Sequence, residues 1–197
     1  MKKVAKYGIV ILYIFIGILV LAHLRVRLNE RCIKTAVKEM DLITKTTKES
    51  IKKNLSDRIN DANIEKVFCD DYGACDASIV VILPDNKLKI IIYKYLTSPT
   101  DIFDGWSFGI STNPNYRTIV INDEIGDKYA YRYPEYDHLM VLMFIRGNFL
   151  IRMTYENLPT SKVNSDDKLQ FAKDIAKIMD DVIIKSENRW CKFIKLE

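Results

Sequence analysis

Residues 77–96 read ASIVVILPDNKLKIIIYKYL. Two apolar runs, Ala77–Leu83 and Leu88–Leu96, flank Pro84-Asp85-Asn86. Proline presets φ for the first corner of a turn, and Asp and Asn favour the positions around it. The stretch predicts a β-hairpin. A second hairpin is predicted downstream, where His138–Ile145 (HLMVLMFI) and Phe149–Tyr155 (FLIRMTY) flank Arg146-Gly147-Asn148. Thr118–Asn122 and Lys128–Tyr133 predict two shorter strands. Runs such as IVVIL and LMVLMFI do not alternate, and a strand with one wet face would. They predict a sheet covered on both faces.

The chain offers two covers. From Leu28 to Ala62 the apolar positions recur in steps of three and four, including Ala36, Met40, Ile43, Ile51, Leu55 and Ile59. This is helix periodicity, with Lys, Glu and Asp on the other faces. A C-terminal helix is predicted over 165–184. Asn164 caps it, Asp166 and Asp167 suit its positive end, and Leu169, Ala172, Ile175, Met179 and Val182 form its stripe. The expected fold class is α+β. An N-terminal transmembrane helix and an amphipathic stalk helix precede an antiparallel sheet of about five to six strands covered by helices on both faces. The segments are 1–27 (anchor or signal peptide), 28–62 (amphipathic helix) and 63–197 (α+β domain). No βαβ alternation and no glycine-rich phosphate loop is present, which argues against a nucleotide-binding fold.

The last third is a hairpin ending Gly147-Asn148-Phe149-Leu150-Ile151-Arg152-Met153-Thr154-Tyr155, a loop, and the 165–184 helix. This order resembles the small envelope domains of the PsbP-like type over about 50 residues. The resemblance implies an exported or membrane-tethered binding module, and it carries no functional residue over.

The N-terminus has three parts. Lys2, Lys3 and Lys6 precede an apolar run from Tyr7 to Leu24, and Arg25, Arg27 and Arg31 follow it. Such a run covers roughly 27 Å as helix, close to the hydrocarbon thickness of about 30 Å. Two readings exist: an uncleaved anchor, or a cleaved signal peptide with Val20 and Ala22 before the cut. The run is long for a signal peptide, which favours the anchor. The basic start slightly outweighs the basic flank that follows, which favours an inner-membrane, single-pass protein with its C-terminal domain in the periplasm.

Charge follows the same division. Residues 1–62 hold 13 Lys/Arg against 6 Asp/Glu, a surplus of +7, while residues 63–197 hold 17 against 20, a deficit of −3. The globular body is mildly acidic and lacks the basic patch of a nucleic-acid reader. The four cysteines are even in number, as an exported domain would have. Cys69 and Cys75 enclose Asp70-Asp71-Tyr72-Gly73-Ala74, a turn-forming loop, and are expected to pair. Cys32 and Cys191 would then tie the first helix to the tail. The alternative is four reduced thiols in a cytosolic domain. A zinc site is a weak alternative, because no C-x2-C pair occurs and the chain has only two His.

Gly105-Trp106-Ser107-Phe108-Gly109 matches G-x-S-x-G, the nucleophile elbow of α/β-hydrolases. That motif needs a strand feeding a sharp turn feeding a helix, and both flanks here read as loop. His138 beside Asp137 reads as a polar strand end. Asp70, Asp71 and Asp76 lack the spacing of a calcium loop. No catalytic set, metal site or cofactor is expected.

Two aromatic clusters suit a protein-binding surface instead. One is Phe103, Trp106, Phe108 and Tyr116 in the long 97–117 loop, and the other is Tyr129, Tyr131 and Tyr133, which share one face of a strand. The bland reading of both is core packing. The expected function is a membrane-anchored periplasmic protein-binding module, in its most concrete form an immunity protein that occludes a toxin. An acidic face with aromatic anchors would suit a basic partner. The alternatives are an accessory subunit of an envelope secretion or pilus assembly, and a ligand-sensing envelope domain.

Overall fold

A computed structural model of the chain describes residues 2–70, 74–95, 98–111, 116–121, 125–134, 141–156 and 166–186. Helix α1 spans Lys2–Asn54 without a break. Strands β1 (Asp61–Cys69), β2 (Cys75–Ile82) and β3 (Lys87–Lys94) follow. Helix α2 (Thr100–Ser111) leads to β4 (Tyr116–Ile121), β5 (Lys128–Pro134), β6 (Val141–Arg146) and β7 (Phe149–Glu156), and α3 (Asp166–Ser186) closes the order.

The fold is α+β with one antiparallel sheet of seven strands, in the order β1-β2-β3-β7-β6-β5-β4. Two meanders, β1–β3 and β4–β7, meet at the pairing of β3 with β7, which runs from Lys87↔Glu156 to Lys94↔Phe149. Both predicted hairpins are present. Leu83 N donates to Asn86 O (2.9 Å) across the first, and Gly147 takes φ 53° in the second. That left-handed φ suits a two-residue turn.

Three expectations need correction. The amphipathic helix does not run to Ala62. It ends at Asn54, and Asp61–Cys69 is a further edge strand, which raises the strand number to seven. Asn54, Ser56, Asp57, Asn60 and Asp61 crowd this junction and compete for backbone hydrogen bonds. Second, 97–117 is not a loop, because α2 occupies its middle. Pro99 O accepts from Phe103 N (3.0 Å) to start that helix, and the G-x-S-x-G motif lies inside it. Third, the early and late helices do not sandwich the sheet. Ala36, Met40, Ile43 and Ile51 of α1 share one core cluster with Ala172, Ile175, Ala176 and Met179 of α3, so both cover the same face. Among the described residues the other face is covered only over the second meander. There Phe103 of α2 packs with Ala130, Met143, Ile145 and Leu150.

Among the described residues no helix is long and apolar enough to cross a membrane. Ile14–Leu24 of α1 nevertheless stands free of the body, its large apolar side chains 46–68% exposed.

Polar contacts fix the layers. Arg146 donates to both carboxylate oxygens of Asp180 on α3 (2.6 Å each) and to Asp127 (2.8 Å). The paired carboxylates raise its pKa further above the usual guanidinium range. Gly126 N donates to Asp180 as well, and its φ of 66° and an added Cβ only 2.2 Å from Ile145 O exclude side chains. On α1, Glu39 is buried and accepts from buried Lys94 of β3 (3.0 Å), while its other oxygen has no hydrogen-bond partner. Breaking such a pair strands a buried charge. Lys94→Met should lower unfolding free energy by about 3–5 kcal/mol. The Glu39→Leu/Lys94→Met double variant should recover most of that loss in the same denaturant titration.

Candidate functional site

Side chains alternate across a strand, so the register defines two faces. The face away from α1 and α3 carries Phe68, Asp76 and Tyr93 in one row, and Lys66, Ser78, Ile91 and Arg152 in the next. Among the described residues no helix lies over these rows. Phe68 is 53% exposed. A bulge between Ile64 and Lys66 lets Glu65 reach this face too. Glu65 Oε2 lies 3.5 Å from Ser78 Oγ and 3.4 Å from Lys89 Nζ. Lys66 Nζ sits 2.8 Å from Asp76 and 5.0 Å above the Phe68 ring.

Helix α2 borders this open face. Trp106 is half-buried against the cluster under α2, and Tyr93 and Tyr95 of the first meander pack against the same cluster. The two tyrosine rings lie 6.3 Å apart between centroids. Tyr95 N donates to Asn148 O (2.8 Å), which ties this end of the face to the β6–β7 turn. A shallow depression of 290 Å³ lies between Phe68, Tyr93 and Tyr95 and the β1–β2 turn. That turn is closed by the disulfide Cys69–Cys75, as the sequence predicted. Asp70 completes it, donating its backbone N–H to Ala74 O and accepting from Ala74 N through Oδ1 (2.9 Å each). The Cys32–Cys191 pairing lies outside the described residues.

A second depression, of 390 Å³, lies on the helix-covered side between Arg58, Pro84, Asp85, Lys168 and Phe171. Its cations are engaged, Arg58 with Asp174 (2.8 Å) and Lys168 with Asp85 (2.9 Å). No group of three metal-ligating side chains occurs among the described residues.

The aromatic residues expected to bind a partner divide between layers. Phe103 and Tyr129 are fully buried and belong to the core, because α2 turns Phe103 inward onto the sheet and Tyr129 shares a core cluster with α3. They cannot meet a partner while those helices stay docked. Trp106 remains half-buried at the border of the open face. Tyr131 is half-buried on the opposite face, where Lys173 of α3 stands 5.3 Å from its ring and 5.8 Å from that of Tyr129. The side chains of Phe108 (α2), Tyr116 (β4) and Tyr133 (β5) lie outside the described residues, as do Asp71, Asp137 and His138. Sequence reasoning missed Phe68, Tyr93, Tyr95 and Arg152. A strict period-two reading of 61–69 would have put Phe68 on the face of Ala62; the bulge between Ile64 and Lys66 turns it to the open face.

No protein-family model, curated protein or solved structure matches the chain, and the resemblance of its last third to PsbP-like domains gains no support from them.

Burial raises the pKa of the Tyr95 hydroxyl above its usual 10.0, and Tyr93 beside it adds to the effect. Burial favours the neutral phenol, so the unfolded chain ionises first. Stability from this contact is complete below pH 10 and declines as pH rises through 10. Tyrosine 13Cζ NMR should show Tyr95 titrating above 10, and Tyr93→Phe should move it downward.

Proposed function

We propose that this protein is a tethered binding module that takes a protein partner on the open face of its first meander. The observation that carries the reading is that face itself. It pairs an exposed aromatic, Phe68, with half-buried Tyr93, Tyr95 and Trp106 beside a shallow depression. Aromatic anchors ringed by charged pairs are what protein interfaces use. The Cys69–Cys75 disulfide at its edge ties β1 to β2, which limits the ordering cost of association.

The tether in this proposal is α1, with Tyr7–Leu24 crossing the inner membrane and the sheet domain in the periplasm. The support is the exposure of Ile14–Leu24, since a stretch of apolar side chains this exposed calls for a cover. The basic residues on both sides and the Cys69–Cys75 disulfide fit an exported domain. In its most concrete form the partner is a toxin entering the same compartment, and the module is an immunity protein that blocks it by occlusion. Occlusion needs a firm complementary surface and no catalytic group.

Two measurements test this. Carbonate extraction of cells expressing the full chain should leave it in the membrane pellet, and deletion of residues 2–24 should release it. Recovery of the full chain in the soluble fraction would remove the tether. Full-length, detergent-solubilised protein should capture one stoichiometric partner from its own cells, and co-expression should relieve that partner's toxicity. Phe68→Arg should abolish capture, with stability changed by no more than about 0.5 kcal/mol, as for an ordinary surface substitution. Undiminished capture by this variant would move the interface off the face.

A further inference from the structure

The β6–β7 hairpin carries two arginines with opposite fates. Arg146 is saturated by Asp180 and Asp127. Arg152, six positions on, faces the other way. Its register neighbours are Ile91 on β3 and Met143 on β6, so it stands between apolar side chains. Its Nε is buried and has no hydrogen-bond partner. Three lysines of the same face are matched to acids: Lys66 to Asp76 (2.8 Å), Lys89 to Glu65 (3.4 Å) and Lys128 to Asp104 (3.1 Å). Among the described residues no ion pair involves Arg152. It stands without a carboxylate among those residues, at the border between the covered and the open halves of the sheet.

We infer that Arg152 is the centre of a carboxylate-binding site, and that the partner inserts an aspartate or glutamate side chain set among apolar groups. This rests on the binding-module reading above. A guanidinium presents donors in a planar fork that matches the two oxygens of a carboxylate. The buried Nε is closed to an incoming group as well as to water, so a carboxylate would take the two terminal Nη donors. The surroundings select the carrier: Ile91 and Met143 are the cross-strand neighbours of Arg152, and Tyr93 lies one row away. Phosphate fits less well, because it would call for several free cations and Lys66 and Lys89 already hold acids. Although the domain as a whole is acidic, this face asks locally for an acidic partner group.

The test uses full-length, 15N-labelled protein in detergent micelles and follows the arginine Nε–Hε resonances. The probes are acetyl-Phe-Glu-Phe-amide, acetyl-Phe-Gln-Phe-amide and inorganic phosphate. The glutamate peptide should shift the Arg152 resonance saturably, and the glutamine peptide should bind at least 10-fold more weakly. Arg152→Gln should remove the binding, while an unchanged Arg146 resonance reports that the fold is intact. Equal response to both peptides, or a response to phosphate alone, would overturn the assignment. Glutamate-selective binding combined with an empty lysate capture would uphold the site and remove the protein-partner reading.

Discussion

The antiparallel pairing of β3 with β7 is the contact on which every other layer depends. It joins two meanders that are each continuous in sequence and otherwise share no strand. Leu88, Ile90 and Ile92 on β3 oppose Tyr155, Met153 and Ile151 on β7, and all six are fully or almost fully buried. Burying a side chain of this size contributes about 1.5–3 kcal/mol. The seam also decides where the helices go. Helix α1 packs on the first meander and α3 on the second, and they meet each other above the join. Lys94, the last residue of β3, reaches from the end of the seam to Glu39, so the placement of α1 is written into the same strand.

Much of this was legible locally. Residues 77–96 and 141–156 fold as the hairpins their turns and apolar runs specify, and the stripe over 166–186 forms α3. Strand β1 was hidden by coincidence of period. Ile51, Leu55, Ile59 and Ala62 continue the helical spacing, yet Ala62 also begins an alternation that the sheet uses. Helix α2 was hidden by its own start, since Ser98-Pro99-Thr100-Asp101 serves a turn as well as a helix N-terminus. The layer arrangement was not encoded in any single segment. Continuous apolar runs on β2 suggested a helix on each face. Val80 is instead buried without one, in a row with Lys89, whose methylene stem can lie over apolar surface while its charge meets Glu65.

The binding surface was less legible than the fold for a related reason. Aromatic side chains supply both cores and interfaces, and their sequence pattern does not separate the two uses. Phe103 and Tyr129 have the spacing and chemistry of anchors but are buried between helix and sheet. Phe68 and Arg152 belong to strands whose outward positions could be identified only after the cover over each half of the sheet was known. The contrast between Arg146 and Arg152 also depends on three dimensions, because Asp180 comes from α3, distant in sequence.

Chain order gives the seam a kinetic side. Lys94 must find Phe149, and Lys87 must find Glu156, across all of α2 and β4–β6. Pairings between such distant segments form late. Synthesis delivers the first meander first, and its β1–β2 turn can close early through Cys69–Cys75 because only a short loop intervenes. During that interval β3 is an unpaired edge, the kind of template that recruits strands from other copies. Its three lysines, Lys87, Lys89 and Lys94, punctuate an otherwise apolar strand. They act as gatekeepers while the edge waits, and two of them are later taken up by Glu65 and Glu39.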